Sequence, residues 1–401
     1  AALNWDNGIP VQPGYRPPPI IDPTIVNFQN VQYQGPTAGQ PGRIYNWSFN
    51  VQHEIKNFLV EVGYQGNRGT RLNSTIDLNQ LPTSELSRGT LLQQRIDSPA
   101  AQAAGIVAPF AGFPASQSVA QSLRPFPQYL SVHSLFAGWG KSWYDALQAK
   151  VERRFGSYQL QANYTWSKNL SMGHYRQVFN QIGSPGSTPQ DFYNLDDSKS
   201  FSNFDIPHVF NILSTFDLPF GKGRKFLNTN NPVVSRLVGG WTIAGAQQYR
   251  KGTLIWLNTP GNPLGNGVLF SPVTKANMGT GPIRTGIDRT TLDPNDPNTR
   301  WFNPTAFTAA PPLTLGTAAF YHDDFRQPGV FQESLAIVKR TVLFEAGENP
   351  VTLTYRADAF NLFNRTSFGG VVGTVGNANF GRPTAPQQGP RIITMGLRLE
   401  F

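Results

Sequence analysis

The chain has 401 residues, of which 39 are Gly, 33 are Pro and none is Cys, so a disulfide framework and thiolate zinc or iron–sulfur sites are excluded. Only 14% of residues are charged while 12% are aromatic, a balance that argues against a helical bundle or a disordered acidic chain and favours β-structure. The net charge of +9 comes from Lys and Arg scattered without a nucleic-acid motif, which argues against a nucleic-acid partner.

Residues 1–42 are rich in Pro and Gly and poor in alternating pattern, and read as a loop segment. TIVNFQNVQYQG (24–35) is the strand candidate within it. The opening AALNWDNGIP has neither the basic start nor the apolar stretch of a secretory leader. From residue 43 the chain alternates with period two, large apolar groups against small and polar ones. In NWSFNVQHEI, Trp47, Phe49, Val51 and Ile55 oppose Asn46, Ser48, Asn50, Gln52 and Glu54. NFLVEVGYQG follows, with Phe58, Val60, Val62 and Tyr64 against Glu61, Gly63 and Gln65. In WYDALQAKVERRF, Leu147, Ala149, Val151 and Phe155 face away from Gln148, Lys150, Glu152 and Arg154. YQLQANYTWSK sets Tyr158, Leu160, Ala162, Tyr164 and Trp166 against Gln159, Gln161, Asn163, Thr165 and Ser167.

HVFNILSTFDLPF, GWTIAGAQQYRKG and VTLTYRADAF alternate more weakly, the last placing Arg356 and Asp358 on its polar face; SLAIVKRTVLFEA offers two apolar faces. RIITMGLRLEF is the ninth segment, with Ile393, Met395, Leu397, Leu399 and Phe401 together. No run reaches the ~18 apolar residues of a membrane helix, but barrel strands of about 10 alternating residues escape that test.

Connections alternate between short (56–57, 156–157, 220–240, 347–350) and long (about 68–141, 168–206, 251–333, 365–390). Tight turns on one side and large loops on the other are what a transmembrane barrel produces. Segments of 10 to 13 residues also exceed the roughly five or six usual in a soluble sandwich. Trp47, Trp143, Trp166, Trp241, Tyr64, Tyr158, Tyr164 and Tyr249 sit near segment ends, where aromatic girdles meet lipid headgroups. The fold expected is all-β, an antiparallel transmembrane β-barrel with about nine long strands here. Barrels of this kind have even strand counts, so nine strands beginning inside a loop read as the C-terminal portion of a larger barrel, unless a first strand lies within 1–42.

Five stretches resemble TonB-dependent outer-membrane receptors of the Oar-like group: NWSFNVQHEIKNFLVEVGYQGNRGTRL, WYDALQAKVERRF…YQLQANYTWSKNLS, SNFDIPHVFNILSTFDLPFGKGRKF, GGWTIAGAQQYRKGTLIWL and YRADAFNLFNRTSFG…RIITMGLRLEF. The likeness spreads over 43–401 in the family's order. It implies a 22-stranded barrel in the outer membrane of a Gram-negative-type bacterium, with extracellular loops and 1–42 among them. It further implies capture of an unknown bulky ligand by loops 68–141, 168–206 and 251–333, and energised passage past a plug worked by the TonB complex. The plug, the TonB-contacting segment and the family's carboxypeptidase-regulatory-like domain have no counterpart in this sequence. Thr394, Gly396, Leu399 and Phe401 resemble the signal read by the barrel-insertion machinery. The alternative is a structural or adhesive cell-surface β-protein that self-associates through open edges and transports nothing.

Enzyme templates fail, and no catalytic residue or cofactor is expected. His53, His133, His174, His208 and His322 lie far apart with no H-E-x-x-H. GKGRK (221–225) lacks the spacing of a phosphate loop and reads as a solvated turn. Asp288, Asp293 and Asp296 are candidate calcium ligands in a loop, without EF-hand spacing. Asp196, Asp197, Asp205 and His208 precede a strand on the long-loop side, where they either cap turns or contact a ligand or neighbouring loop. Glu54, Glu61, Lys150, Glu152, Arg154, Arg356 and Asp358 are the charged candidates for a lumen wall.

Overall fold

A computed structural model of the protein describes residues 28–36, 38–173, 189–257, 259, 274–346, 349–386 and 388–401. Nine long strands form one sheet: β1 (Arg43–Ile55), β2 (Phe58–Asp77), β3 (Tyr129–Phe155), β4 (Tyr158–Met172), β5 (His208–Asp217), β6 (Trp241–Arg250), β7 (Val330–Ala346), β8 (Asn349–Phe360) and β9 (Ile392–Glu400). Their order in the sheet is their order in sequence, so each strand pairs with its chain neighbours. Such a meander needs only local connections, and those at one end are tight. Lys56 and Asn57 carry φ of 47° and 69°, the left-handed pair that lets a two-residue turn follow the twist of its strands.

The long connections are 78–128, 173–207, 251–329 and 361–391. The first is shorter than the expected 68–141, because β2 and β3 run well past their amphipathic parts. Segments such as NRGTRLNSTID have no apolar face, yet ladder hydrogen bonding needs none. The strand candidate at 24–35 resolves differently from a missed wall strand. Its residues 24–27 lie outside the described residues, and Gln29–Tyr33 pairs in parallel with the start of β3, so it does not precede β1 in the meander. Among the described residues no pairing joins β1 to β9; the sheet is open, with one strand exposed at each edge.

Two compact units make up the chain: residues 1–33, 76–134 and 265–270, and residues 34–75, 135–264 and 271–401. In the first, Leu81, Leu92, Ile96, Ala101 and Val119 are buried among short helical turns. Asn79 and Arg124 stitch its backbone together. The Arg124 guanidinium donates to the carbonyls of Asn79 (3.1 Å) and Leu130 (2.7 Å), and burial lowers its pKa.

The second unit holds most of the sheet, and its hydrophobic core is not in the sheet. Ile255, Leu257, Trp301, Phe302, Phe307, Phe325, Val371 and Phe380 pack together, all from the long connections 251–329 and 361–391. The strands leave their apolar face uncovered: Phe49 is 69% exposed, Met395 71% and Leu397 72%. A soluble sheet would bury these side chains, each worth about 1.5–3 kcal/mol on leaving water.

Candidate functional site

Cross-strand register assigns every side chain to a face, since directly paired residues point the same way. Phe49 pairs with Tyr64 and Val51 with Val62; Leu147 pairs with Trp166 and Ala149 with Tyr164. Tyr164 then pairs with Phe210, Phe210 with Tyr249, Tyr249 with Phe331, and Leu353, Tyr355 and Ala357 with Leu399, Leu397 and Met395. One apolar face thus runs across all nine strands. The ambiguity of SLAIVKRTVLFEA has a structural cause. A bulge lies between Val342 and Phe344, where Thr352 and Val351 are consecutive partners. Leu343 is the extra residue, so Leu335, Ile337 and Phe344 share a face although their parity differs.

The opposite face is polar and holds the charged wall candidates. Glu152 pairs across with Gln161 and Arg154 with Gln159, while Arg356 lies opposite Gly396 and Asp358 opposite Thr394. Lys150 reaches Glu152 at 2.8 Å, and the Arg356 guanidinium grips both carboxylate oxygens of Asp358 at 2.8–3.0 Å. A trough of ≈ 570 Å³ along this face is lined by Glu152, Arg154, Gln159, Gln161, Arg356 and Asp358. It brings four of the seven candidates together with both charge signs present. Lys150 touches that group through Glu152. Glu54 and Glu61 sit on β1 and β2, outside the trough, and have no ion-pair partner among the described residues. Thr394 and Gly396 are on the polar face, Leu399 is on the apolar face, and Phe401 lies just past β9, 91% exposed.

The loop candidates are drawn into the folded connections. Asp205 is buried, accepts from the Asn169 backbone N–H at 2.5 Å, and pairs with the equally buried Arg326 at 2.5 Å. Asp323 takes the same guanidinium at 2.6 Å from its exposed side. Asp197 accepts from the buried Lys275 ammonium at 2.7 Å, whereas Asp196 is exposed. His208 meets the Tyr164 hydroxyl through Nδ1 at 2.8 Å. Arg326, Lys275 and Gln190 were not visible as functional positions in the sequence. Gln190 is buried and its side chain bridges Lys275 and Gly316 through three hydrogen bonds; nothing in a lone Gln or Arg reports that a loop will close over it.

Asp288, Asp293 and Asp296 each accept from a backbone N–H two residues on, at 2.7–2.8 Å. These are Asx turns, and among the described residues no three acidic or His side chains gather as a metal-ligand set. The N–H and hydroxyl of Thr290 hold the Asp288 carboxyl below its usual pKa. Inside the loop core Arg284 stacks 3.4 Å over Trp301; burial lowers its guanidinium to about 10, with the Asp324 charge opposing that shift. His174 lies outside the described residues.

Near the long-loop end the apolar face carries a polar cluster that the alternation pattern did not single out. Asp145 accepts from the Tyr64 hydroxyl at 2.6 Å and from Arg68 at 2.9 and 3.1 Å, and Arg68 lies 5.3 Å from the Trp47 ring centroid.

The family model for an outer membrane beta barrel domain matches residues 1–394. The chain belongs to the outer membrane beta barrel domain family. It is therefore an outer-membrane protein, and its continuous apolar face is the surface turned to lipid. No curated protein matches the sequence. Solved structures with partial likeness include P. aeruginosa FpvA bound to heterologous pyoverdines, at 10% identity over 89% of this chain and 26% of that one, TM-score 0.36. The FrpB iron transporter from Neisseria meningitidis is similar at 10% identity, covering 92% of this chain and 32% of that one, TM-score 0.38. The outer membrane transporter YddB from Escherichia coli is similar at 9% identity, over 92% and 34%, TM-score 0.40. This chain thus spans about a quarter to a third of each of those chains.

Proposed function

We propose that the chain forms part of the wall and loops of an Oar-like TonB-dependent receptor, in a larger barrel of 22 strands. Nine consecutive strands with one lipid face and one charged polar face support this, together with two strand edges that have no long-strand partner among the described residues. On this reading the polar face lines the lumen, where Glu152, Arg154, Arg356 and Asp358 offer mixed charge to a plug or a passing solute. The long connections 78–128, 173–207 and 251–329, which correspond to the loops expected at 68–141, 168–206 and 251–333, make the extracellular surface that captures a bulky ligand, and TonB drives the plug aside. Thr394, Gly396, Leu399 and Phe401 serve as the mark read by the insertion machinery.

The unpaired edges of β1 and β9 equally suit the adhesive reading, in which copies of the chain pair edge to edge. Uptake of a panel of labelled bulky solutes, in cells with and without this protein and with and without TonB, separates the two. Loss of at least one solute on removing either protein is expected. Indifference to both, combined with detergent-free polymers of the purified chain, defeats the receptor reading.

A further inference from the structure

The connection 218–240 between β5 and β6 is the long member of the short-turn end, and the barrel reading gives it no task. It contains Lys222, Arg224, Lys225 and Arg236 and not one Asp or Glu. It also exposes large apolar groups: Phe226 48%, Leu227 60%, Val233 64%, Val234 40% and Leu237 67%. A turn that merely joined two strands would have no reason to be both acid-free and greasy.

The helix Pro232–Val238 within it is started by Asn231, whose side chain accepts from the N–H groups of Val233 and Val234. Its C-terminal carbonyls are tied to the lipid face of the sheet. The Trp241 indole donates to the Leu237 carbonyl at 3.1 Å, and the Lys339 ammonium donates to the carbonyls of Arg236 (2.6 Å) and Gly239. Trp241 and Lys339 are cross-strand partners on the apolar face, so the helix is moored at the rim of the lipid-facing surface. Gly240, at φ 71°, brings the chain back into β6 against the Arg340 carbonyl, where a Cβ would overlap that oxygen. Beside the helix lies a recess of ≈ 250 Å³ lined by Lys222, Arg224, Arg236 and Arg340 with backbone of Gly239 and Gly240. Arg340 has one distant carboxylate, Glu400 at 3.9 Å; among the described residues the other three have no ion pair.

We propose that this turn is an interfacial anchor that seats the phosphate headgroup of an anionic phospholipid from the leaflet on the short-turn side. Val233, Val234 and Leu237 enter the acyl boundary, continuing the lipid face past Trp241, while Lys222, Arg224 and Arg236 surround the phosphate; Arg340, opposite Thr354 on the polar face of the sheet, closes the inner side of the recess. Amphipathic helices bind membrane surfaces by this combination of buried apolar area and basic charge, and each Lys or Arg near an anionic surface contributes about fivefold in affinity. The inference rests on the barrel reading for the position of the membrane, and its test separates the two.

The protein has no cysteine, so a single introduced thiol carries a probe cleanly. Spin labels at Leu237→Cys and at Met395→Cys, both on exposed positions, are read in vesicles of phosphatidylethanolamine with phosphatidylglycerol. Protection from a water-soluble relaxant at both sites is expected. A lipid-buried label at 395 with a fully aqueous one at 237 overturns the anchor and leaves the barrel standing; an aqueous label at 395 sinks the barrel reading itself. For the headgroup, short-chain phosphatidylglycerol is titrated into the detergent-solubilised full chain. K222Q and R224Q should each weaken binding about fivefold, and short-chain phosphatidylcholine should bind worse than phosphatidylglycerol. Equal affinity for the two lipids, or no effect of either variant, overturns the proposed seat.

Discussion

Phe325→Ala tests whether the long connections hold a core of their own. Phe325 is fully buried, with the rings of Phe302, Phe307 and Phe380 at centroid distances of 4.3, 5.2 and 5.8 Å. Its backbone carbonyl also accepts from the Ile255 N–H at 2.9 Å, a bond the substitution leaves in place, so the loss is confined to the side chain. Removing a benzyl group from such a site costs about 3–5 kcal/mol once the residual cavity is counted. None of its ring partners lies in a wall strand. The whole penalty should therefore fall on opening of the loop core, raising its open population roughly a hundred- to several-thousandfold. Hydrogen exchange read by mass spectrometry on the folded protein in detergent reports this directly. Amides of 276–325 and 371–381 should lose protection while those of β4 to β8 keep theirs. Unchanged protection in the loops, or equal loss in the strands, would refute an independent loop core.

Asp205→Ala should cost about 1–3 kcal/mol of local loop stability, because it removes the buried carboxylate from Arg326 and leaves that guanidinium only the exposed Asp323; the check is whether Asp205→Leu with Arg326→Met recovers most of the loss. Met395→Arg should destabilise insertion into vesicles by about 2–4 kcal/mol if near mid-bilayer, and Thr394→Arg, one residue away on the polar face, by far less; urea titration of vesicle-folded protein compares them. Gly66→Ala should shift Trp47 fluorescence, since the indole lies over Gly66 and an added methyl would overlap it. Because the folded Asp288 carboxyl titrates below its usual range, the 288–291 turn is stabilised above the ordinary carboxylate pKa. That contribution disappears as pH falls through the lowered value, and exchange at the Thr290 amide follows it.

The strands were legible because a lipid-facing surface writes itself into parity. NWSFNVQHEI and YQLQANYTWSK alternate cleanly, and their register in the sheet matches the alternation residue for residue. The outer reaches of β2 and β3 were not legible, since a hydrogen-bonded ladder beyond the apolar band imposes no side-chain rule. SLAIVKRTVLFEA was ambiguous for a reason sequence parity cannot express: one inserted residue, Leu343, inverts the phase mid-strand. For the candidate residues, parity placed Glu152, Arg154, Arg356 and Asp358 on one wall, but their gathering along a single trough depends on six strands lying side by side. Asp205 was visible only as an acid before a strand; its partner Arg326 is 121 positions away.

The placement of burial follows from the same physics. A single-layer sheet whose outer face must stay apolar for lipid, and whose inner face must stay polar, has no side left on which to build a dry core. The long connections therefore cannot be held down by packing onto strands and must pack on themselves. That is where Trp301, Phe302, Phe307, Phe325 and Phe380 have gone, and why the buried charges Arg326 and Lys275 are found there, each paired to an acid from another connection. Connections fixed in this way present a preformed surface, which spares a captured ligand the ordering cost that a loose loop would impose. Phe325→Ala consequently reaches beyond stability: if these connections capture the ligand, the variant should weaken capture through loss of preorganisation while leaving the wall strands intact.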